Sequence, residues 1–282
     1  KSPEEVGMDP ELLRQASEYT NNSTASESLL VIKDGYLVFE KYYKNGSQNQ
    51  EKHAWSVTKS FTSTLIGIAI DRGYISGTDE MLSDLLPEYY NDSSICLNDV
   101  LTMSTGTSWN DYSDWKAMTD SGDWIRNVAQ KSQVANPGEV FNYNTGNSHI
   151  LSHIIAEKTL NTPLGFAQEN LFNKIGISIG EWNTDPVGIQ AGGHGLHINS
   201  RQMAKLGYLY LNKGFWDGEQ IISEDWIERS TTDYFRMNDG ERGYGYHWWI
   251  IKNRYGDLVH FIAAGYGGQY IFVTPELDLV IV

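Results

Sequence analysis

The chain has 282 residues, 40% of them hydrophobic and 12% aromatic, enough to bury a large core in one big domain or two interleaved ones. Its net charge of -15 repels nucleic acid and anionic membranes, so neither is expected as a partner. The single cysteine, Cys96, excludes an internal disulfide and a cysteine-built zinc site, and no apolar run reaches the ~18–20 residues that span a bilayer.

The first predicted element is an amphipathic helix over residues 9–20, with Asp9 as N-cap and Pro10 at the first helical position. Residues 29–32 and 36–43 are β-rich and joined by Lys33-Asp34-Gly35, a hairpin signal. An extended aromatic run, His53-Ala54-Trp55, gives way to a helix over 56–72 that ends at Gly73. From Tyr74 to about Pro186 short helices and loops dominate, with helical candidates at 99–103, 124–133, 148–160 and 164–172 and a turn at Asn136-Pro137-Gly138-Glu139. Residues 200–212 carry apolar Met203, Leu206, Leu209 and Tyr210 at helical spacing, capped by Asn199 or Ser200, and 223–230 is a short helix capped by Ser223. Residues 247–251, 258–263, 269–273 and 279–282 are closely spaced strand candidates, which favours antiparallel pairing. Asn22-Ser23-Thr24, Asn45-Gly46-Ser47 and Asn91-Asp92-Ser93 match glycosylation sequons, as an Asn-rich chain does by chance.

The expected fold class is α/β of the α+β kind: one antiparallel sheet built from both chain ends, flanked by helices, with a mainly helical subdomain inserted. Residues 1–73 and 187–282 would form the sheet domain and residues 74–186 the insert.

Ser56-Val57-Thr58-Lys59 puts a hydroxyl and an amine three residues apart, on one face of the helix that begins there. The first helical turn adds unpaired N–H groups and the positive end of the helix dipole. A serine needs an adjacent base to act as a nucleophile, and a buried lysine can be that base. The spacing recurs at Ser113-Asp114-Trp115-Lys116, but that stretch is polar and acidic and reads as a solvated loop. Two further features bear on Ser56. Tyr143-Asn144-Thr145 follows the Pro-Gly turn and precedes a helix, so Tyr143 can present its phenol to the pair. Ala263-Ala264-Gly265-Tyr266-Gly267-Gly268 is a glycine-rich bend where backbone N–H groups can approach a ligand.

In this order of segments the chain resembles the serine β-lactamase and penicillin-recognising superfamily. It is most similar to the class C-like branch, with its D-alanyl-D-alanine carboxypeptidases, class C-type esterases and 6-aminohexanoate-dimer hydrolases. Leu101-Thr102-Met103-Ser104-Thr105-Gly106, Gly193-His194-Gly195-Leu196 and Gly243-Tyr244-Gly245-Tyr246-His247-Trp248-Trp249 extend the likeness over nearly the whole chain. The resemblance implies a β-lactamase/transpeptidase-like fold and no cofactor. It also implies Ser56 as the acylated nucleophile, Lys59 as its proton acceptor and Tyr143 as the proton shuttle. Backbone N–H groups of Ser56 and of Tyr266 or Gly265 would form the oxyanion hole. Thr145, Trp182, His194 and Gly267 are expected to line the substrate site.

Two departures stand out. Threonine at 145 replaces the asparagine of the family's Tyr-x-Asn, and Ala263-Ala264-Gly265 replaces its Lys-Thr-Gly, with His260 the only polar residue just upstream. Losing the carboxylate-binding lysine favours a carboxylesterase or amide hydrolase over a β-lactamase or D-alanyl-D-alanine carboxypeptidase. A non-catalytic penicillin- or peptidoglycan-binding sensor stays open as the third reading. The partner is then a small ester, amide, β-lactam or peptide. The family leans towards export, and it usually continues into a helix beyond a strand like the one at Val282. His194 and His197 lack a third ligand, so no metal is expected. Trp248 and Trp249 are assigned to packing, Cys96 to the core, and Asp111, Asp114, Asp120 and Asp123 to solvated surface.

Overall fold

A computed structural model describes residues 1–23 and 26–282. The sequon at Asn22 includes Thr24 and lies outside the described residues. Helix α1 (Pro10–Asn22) opens where the sequence puts it, with the Asp9 carboxylate accepting the Glu11 N–H. Strands β1 (Ser28–Lys33) and β2 (Tyr36–Tyr42) form the hairpin, turned by Asp34 and Gly35 in the left-handed region.

Helix α2 (Val57–Asp71) is buried from Val57 to Ala69. A helix covered on every side is a core element, and its polar groups need partners. Ser60 and Ser63 donate to the carbonyls of His247 and Tyr246 at 2.7 and 2.8 Å, and Thr62 donates to Gly192 O at 2.8 Å. These bonds tie α2 to the segments on both sides of it. Helix α3 (Thr145–Thr159) packs along α2 and is buried from Thr145 to Ile155. Asn144 caps it by accepting the Asn147 N–H, so it starts three residues before the predicted 148. Thr145 thereby falls in its first turn, next to α2.

Helix α4 (Ser200–Leu211) carries a reciprocal cap between Asn199 and Gln202, and Ser223 caps helix α5 (Glu224–Ser230). Six strands follow: β3 (Phe235–Arg236), β4 (Arg242–Tyr244), β5 (Trp249–Lys252), β6 (Leu258–Gly265), β7 (Gln269–Thr274) and β8 (Leu279–Ile281). With the N-terminal hairpin they form one antiparallel sheet in the order β2-β1-β8-β7-β6-β5-β4-β3. Val31 lies opposite Ile281, so the N-terminal hairpin pairs with the last strand and sits at one side of the sheet. Alternation divides the sheet's faces. Leu30, Ile32, Phe261, Ala263, Ile271 and Val280 join the main core, while Val31 and Val38 pack with Leu13 of α1.

Between α2 and α4 short helices dominate, as expected, with changed limits. Residues 113–119 form a helix rather than a loop, and the helix predicted over 124–133 stops at Ala129. The helix predicted over 164–172 divides into an α turn, Pro163–Ala167, and a π turn, Gln168–Phe172. The strand predicted from 247 begins at Trp249, because His247 takes φ 62° and its N–H turns back to Gly245 O. Cys96 is half-buried, its thiol donating to Asp99.

Phe61, fully buried on α2, sits edge-on to Phe172 at 6.1 Å. Phe61→Ala is expected to cost about 3–5 kcal/mol, read as a lowered urea midpoint at an unchanged slope.

Candidate active site

The side chain of Lys59 leaves α2 for the interior and is 1% exposed. Its Nζ reaches three neutral oxygens, each at 3.0 Å: Ser56 Oγ, Thr145 Oγ1 and Gly193 O. Burial lowers its pKa from 10.5 to about 8, with the Asp111 carboxylate pulling the other way. At neutral pH an appreciable share of Lys59 is therefore the neutral amine.

Ser56 occupies the N-cap position of α2 yet its hydroxyl caps nothing. The oxygen that usually closes a helix turn is turned to Lys59 instead. Tyr143 lies across Lys59 with its ring centroid 5.0 Å from Nζ, and it stacks on Trp249 at 5.8 Å and 18°. Burial pushes its phenol pKa up, the Ser56 hydroxyl opposes the rise, and Asp111 adds to it. The phenol therefore stays protonated at neutral pH. A Cβ on Gly193 would lie 2.6 Å from Thr145 Cγ2 and 3.2 Å from Lys59 Nζ, so only glycine lets that carbonyl approach the amine.

An inner strand of the sheet, β6, closes the site. A Cβ on Gly265 would meet Ala54 O at 2.4 Å, so β6 runs directly against the turn before Ser56. Among the described residues neither the Ser56 nor the Tyr266 N–H has an acceptor. Trp55, between them, holds φ 51°, and its indole meets His53 at 4.3 Å, Tyr266 at 5.5 Å and Trp115 at 6.5 Å.

A family model named Beta-lactamase matches residues 13–282. The chain belongs to the beta-lactamase family. It is a hydrolase of that superfamily. A 6-aminohexanoate-dimer hydrolase of Paenarthrobacter ureafaciens is 25% identical, over 92% of this chain and 72% of its own length. Two solved structures are similar in fold. One, from Bacillus anthracis, is assigned provisionally as a 6-aminohexanoate-dimer hydrolase; it has a TM-score of 0.80 at 22% identity, over 96% of this chain and 75% of that one. The other is an octameric penicillin-binding protein homologue from Pyrococcus abyssi, with a TM-score of 0.76 at 21% identity, over 97% and 72%.

Within this beta-lactamase-family fold several expectations change. Asp111 is not solvated surface. Its Oδ1 accepts the Thr145 N–H at 2.7 Å and the Trp109 indole N–H at 2.9 Å, and its Oδ2 accepts the Thr145 hydroxyl at 3.1 Å. Thr145 is accordingly held by Lys59 and Asp111, and its hydroxyl is not free to line a substrate site. Trp182 is 4% exposed and donates to Ala191 O at 2.9 Å; it belongs to the core, not to a groove. Gly267 lies in the β6–β7 turn and helps line a cavity of about 450 Å³ with Gln269, Leu29 and Ile198, which Ser56, Lys59 and Tyr143 do not line. His194 does belong near the pair, between Trp115 at 5.5 Å and Trp124 at 5.7 Å. Burial, then the Lys59 charge, hold its pKa near 3, so it is neutral. His260 sits on the opposite face of β6 from Ala263 and rests on Phe272 at 5.9 Å, so it cannot stand in for the missing lysine. The second Ser-x-x-Lys is no reactive pair, because Ser113 bonds Asn110 while Lys116 pairs with Asp120.

His149, His153 and Asp185 form a buried group with metal-like spacing that sequence reading missed. Both Nε2 atoms lie 3.1 Å from one oxygen, Asp185 Oδ2, while Oδ1 accepts the Val187 and Ile189 N–H groups at 3.0 and 2.8 Å. Hydrogen bonding accounts for both carboxylate oxygens. A metal on His149 Nε2 would put the proton on Nδ1, which is buried without a partner. The group is therefore a staple that fixes the 183–193 loop, and with it Gly193, to α3. Asp185→Ala leaves four donors unmet and is expected to destabilise the protein by roughly 2–4 kcal/mol, read in thermal unfolding.

Proposed function

We propose that the chain hydrolyses a linear ester or amide through an acyl-enzyme on Ser56. The observation that carries this reading is the 3.0 Å contact between Ser56 Oγ and a fully buried Lys59 amine whose partners are all neutral. The neutral Lys59 takes the serine proton as Oγ attacks the carbonyl carbon. The bond to the leaving group then breaks, and Tyr143 gives that group its proton and is reprotonated from Lys59. A water then attacks the acyl carbon, its proton returns through Tyr143 to Ser56 Oγ, and the free acid departs.

The N–H groups of Ser56 and Tyr266 fit the role of oxyanion donors, since no acceptor among the described residues takes them. Such a donor is typically worth about 3–4 kcal/mol in the transition state. Substrate choice follows from strand β6. Ala263 offers no charge to a substrate carboxylate, which disfavours penicillins and D-alanyl-D-alanine peptides; the Paenarthrobacter relative is named for the dimer of 6-aminohexanoate, a linear amide. The aromatic residues around the serine, Trp55, Trp115 and Tyr266, suit an apolar acyl chain.

Turnover of 4-nitrophenyl butyrate should fall at least about 1000-fold in Ser56→Ala, and Ser56 should carry the acyl mass in the native protein. Wild-type activity in the alanine variant would remove the mechanism. Tyr143→Phe should slow turnover by at least roughly tenfold. Because the base must be neutral, kcat/KM should rise with pH and level off above about 8, following Lys59. A profile flat from pH 6 to 9 would exclude lysine from that role.

A further inference from the structure

Lys59 has three neighbours, and the direction of each hydrogen bond matters. A neutral amine has two N–H groups and one lone pair. Only a lone pair pointing at Ser56 makes it a base. Gly193 O accepts only, so it takes one N–H. Thr145 Oγ1 could either accept the second N–H or donate its own proton into the lone pair. Asp111 decides between them. Its carboxylate already accepts two N–H groups at Oδ1, and Oδ2 faces the Thr145 hydroxyl at 3.1 Å. An ionised carboxylate cannot donate, so the Thr145 proton points to Asp111 and the Thr145 oxygen is left to accept from Lys59.

We infer that Asp111 is a positioning residue of the active site, which through the Thr145 hydroxyl aims the Lys59 lone pair at Ser56. It touches neither the serine nor a substrate. The inference rests on the reading of Ser56 as nucleophile and goes one step beyond it. It also accounts for the threonine at 145, since a hydroxyl can pass on a direction imposed by a carboxylate.

Asp111→Asn tests the polarity with almost no change of shape. The two N–H donors at Oδ1 require an oxygen there, so the new amide turns its NH2 towards Thr145 Oγ1. The Thr145 proton must then swing into the Lys59 lone pair. The charge change matters as well. The charged and titratable groups facing Lys59 are Asp111, Tyr143 from the loop before α3, His194 just after the 183–193 loop, and His247 from the turn before β5. Asp111 alone among them holds the Lys59 proton on, so removing its charge lets the ammonium deprotonate at lower pH.

The experiment is the rate at which a fluorophosphonate labels Ser56, followed by intact mass from pH 5 to 10. In that reaction Ser56 Oγ displaces fluoride at phosphorus and its proton passes to Lys59, so no natural substrate is needed. Asp111→Asn should label at least roughly 30-fold slower on the plateau, with its acid limb moved to lower pH. Thr145→Val should be similarly slow and Thr145→Ser should recover most of the rate. Adding Asp111→Asn to Thr145→Val should slow labelling by no more than about twofold, because both act through one hydroxyl. Native-like labelling of Asp111→Asn, a full additional loss in the double variant, or failure of Thr145→Ser to recover would overturn the inference. If Asp111→Asn loses cooperative unfolding, the contrast of Thr145→Ser with Thr145→Val decides. Equal labelling of Ser56→Ala and the native protein would instead defeat the underlying reading of Ser56.

Discussion

An amine buried among neutral oxygens is the constraint on which the site depends. A buried ammonium without a counter-ion is expensive, and the usual relief is either a carboxylate partner or a lowered pKa. This protein takes the second route for Lys59, keeping Asp111 one hydroxyl away. The neighbouring histidines obey the same constraint. His194 and His247 are held near pKa 3 by burial and then by Lys59, so neither adds a second cation beside the first. A direct Lys59–Asp111 ion pair would be comfortable and chemically inert, because it would keep the proton on the lysine at neutral pH. The interposed threonine keeps the carboxylate's orienting effect and dilutes its charge.

The rest of the fold holds that arrangement rigid. Lys59, Thr145 and Gly193 come from α2, α3 and the 183–193 loop, and each is fastened separately. Buried hydroxyls on α2 bond to Tyr246, His247 and Gly192; Asn144 caps α3; Asp185 staples the loop to His149 and His153. Left-handed backbone also occurs right beside Ser56. Trp55, the residue before Ser56, sits at φ 51°, a conformation that costs a bulky residue about 1–2 kcal/mol. Its contacts with His53 and Tyr266 hold it there. The turn lays Ala54 against Gly265 and, among the described residues, leaves the Ser56 N–H without an acceptor.

The legible parts of this protein are those whose partners lie close in sequence or whose pattern is periodic. Ser56 and Lys59 share one helical face, the Asp-Gly hairpin and the C-terminal strands announce themselves, and Pro137-Gly138 marks the turn before Tyr143. The two short strands β3 and β4 carry Arg236 and Arg242 and have no apolar alternation, so they escape such reading. Asp111 lies in an acidic run, and a carboxylate in such a run looks the same whether it meets water or a buried N–H. Its partner is 34 residues away. The available clue was Thr145 itself, a hydroxyl where the resemblance expects an amide, on a helix start facing α2. The His149–His153 spacing of one turn was visible too, but Asp185, which gives it meaning, is 32 residues beyond His153. Trp182 was misread because an indole in a polar stretch, Glu181-Trp182-Asn183, looks exposed until its N–H finds a carbonyl.

Strand β6 separates what this branch of the fold keeps from what it changes. Alternation on β6 puts Ala263 and Gly265 on the face turned to the core and the nucleophile, and His260 and Ala264 on the other. Gly265 is confined by Ala54, so the strand cannot shift its register by one residue without driving a side chain into that carbonyl. No neighbouring polar residue can therefore be recruited to replace a lysine at 263. The N–H proposed as oxyanion donor, at Tyr266 just past β6, is backbone and would survive any side chain, whereas a carboxylate anchor at 263 would be a side chain and is absent. On the proposed mechanism, catalysis and substrate choice can thus diverge here without disturbing each other, and selection would fall to the aromatic cluster of Trp55, Trp115 and Tyr266.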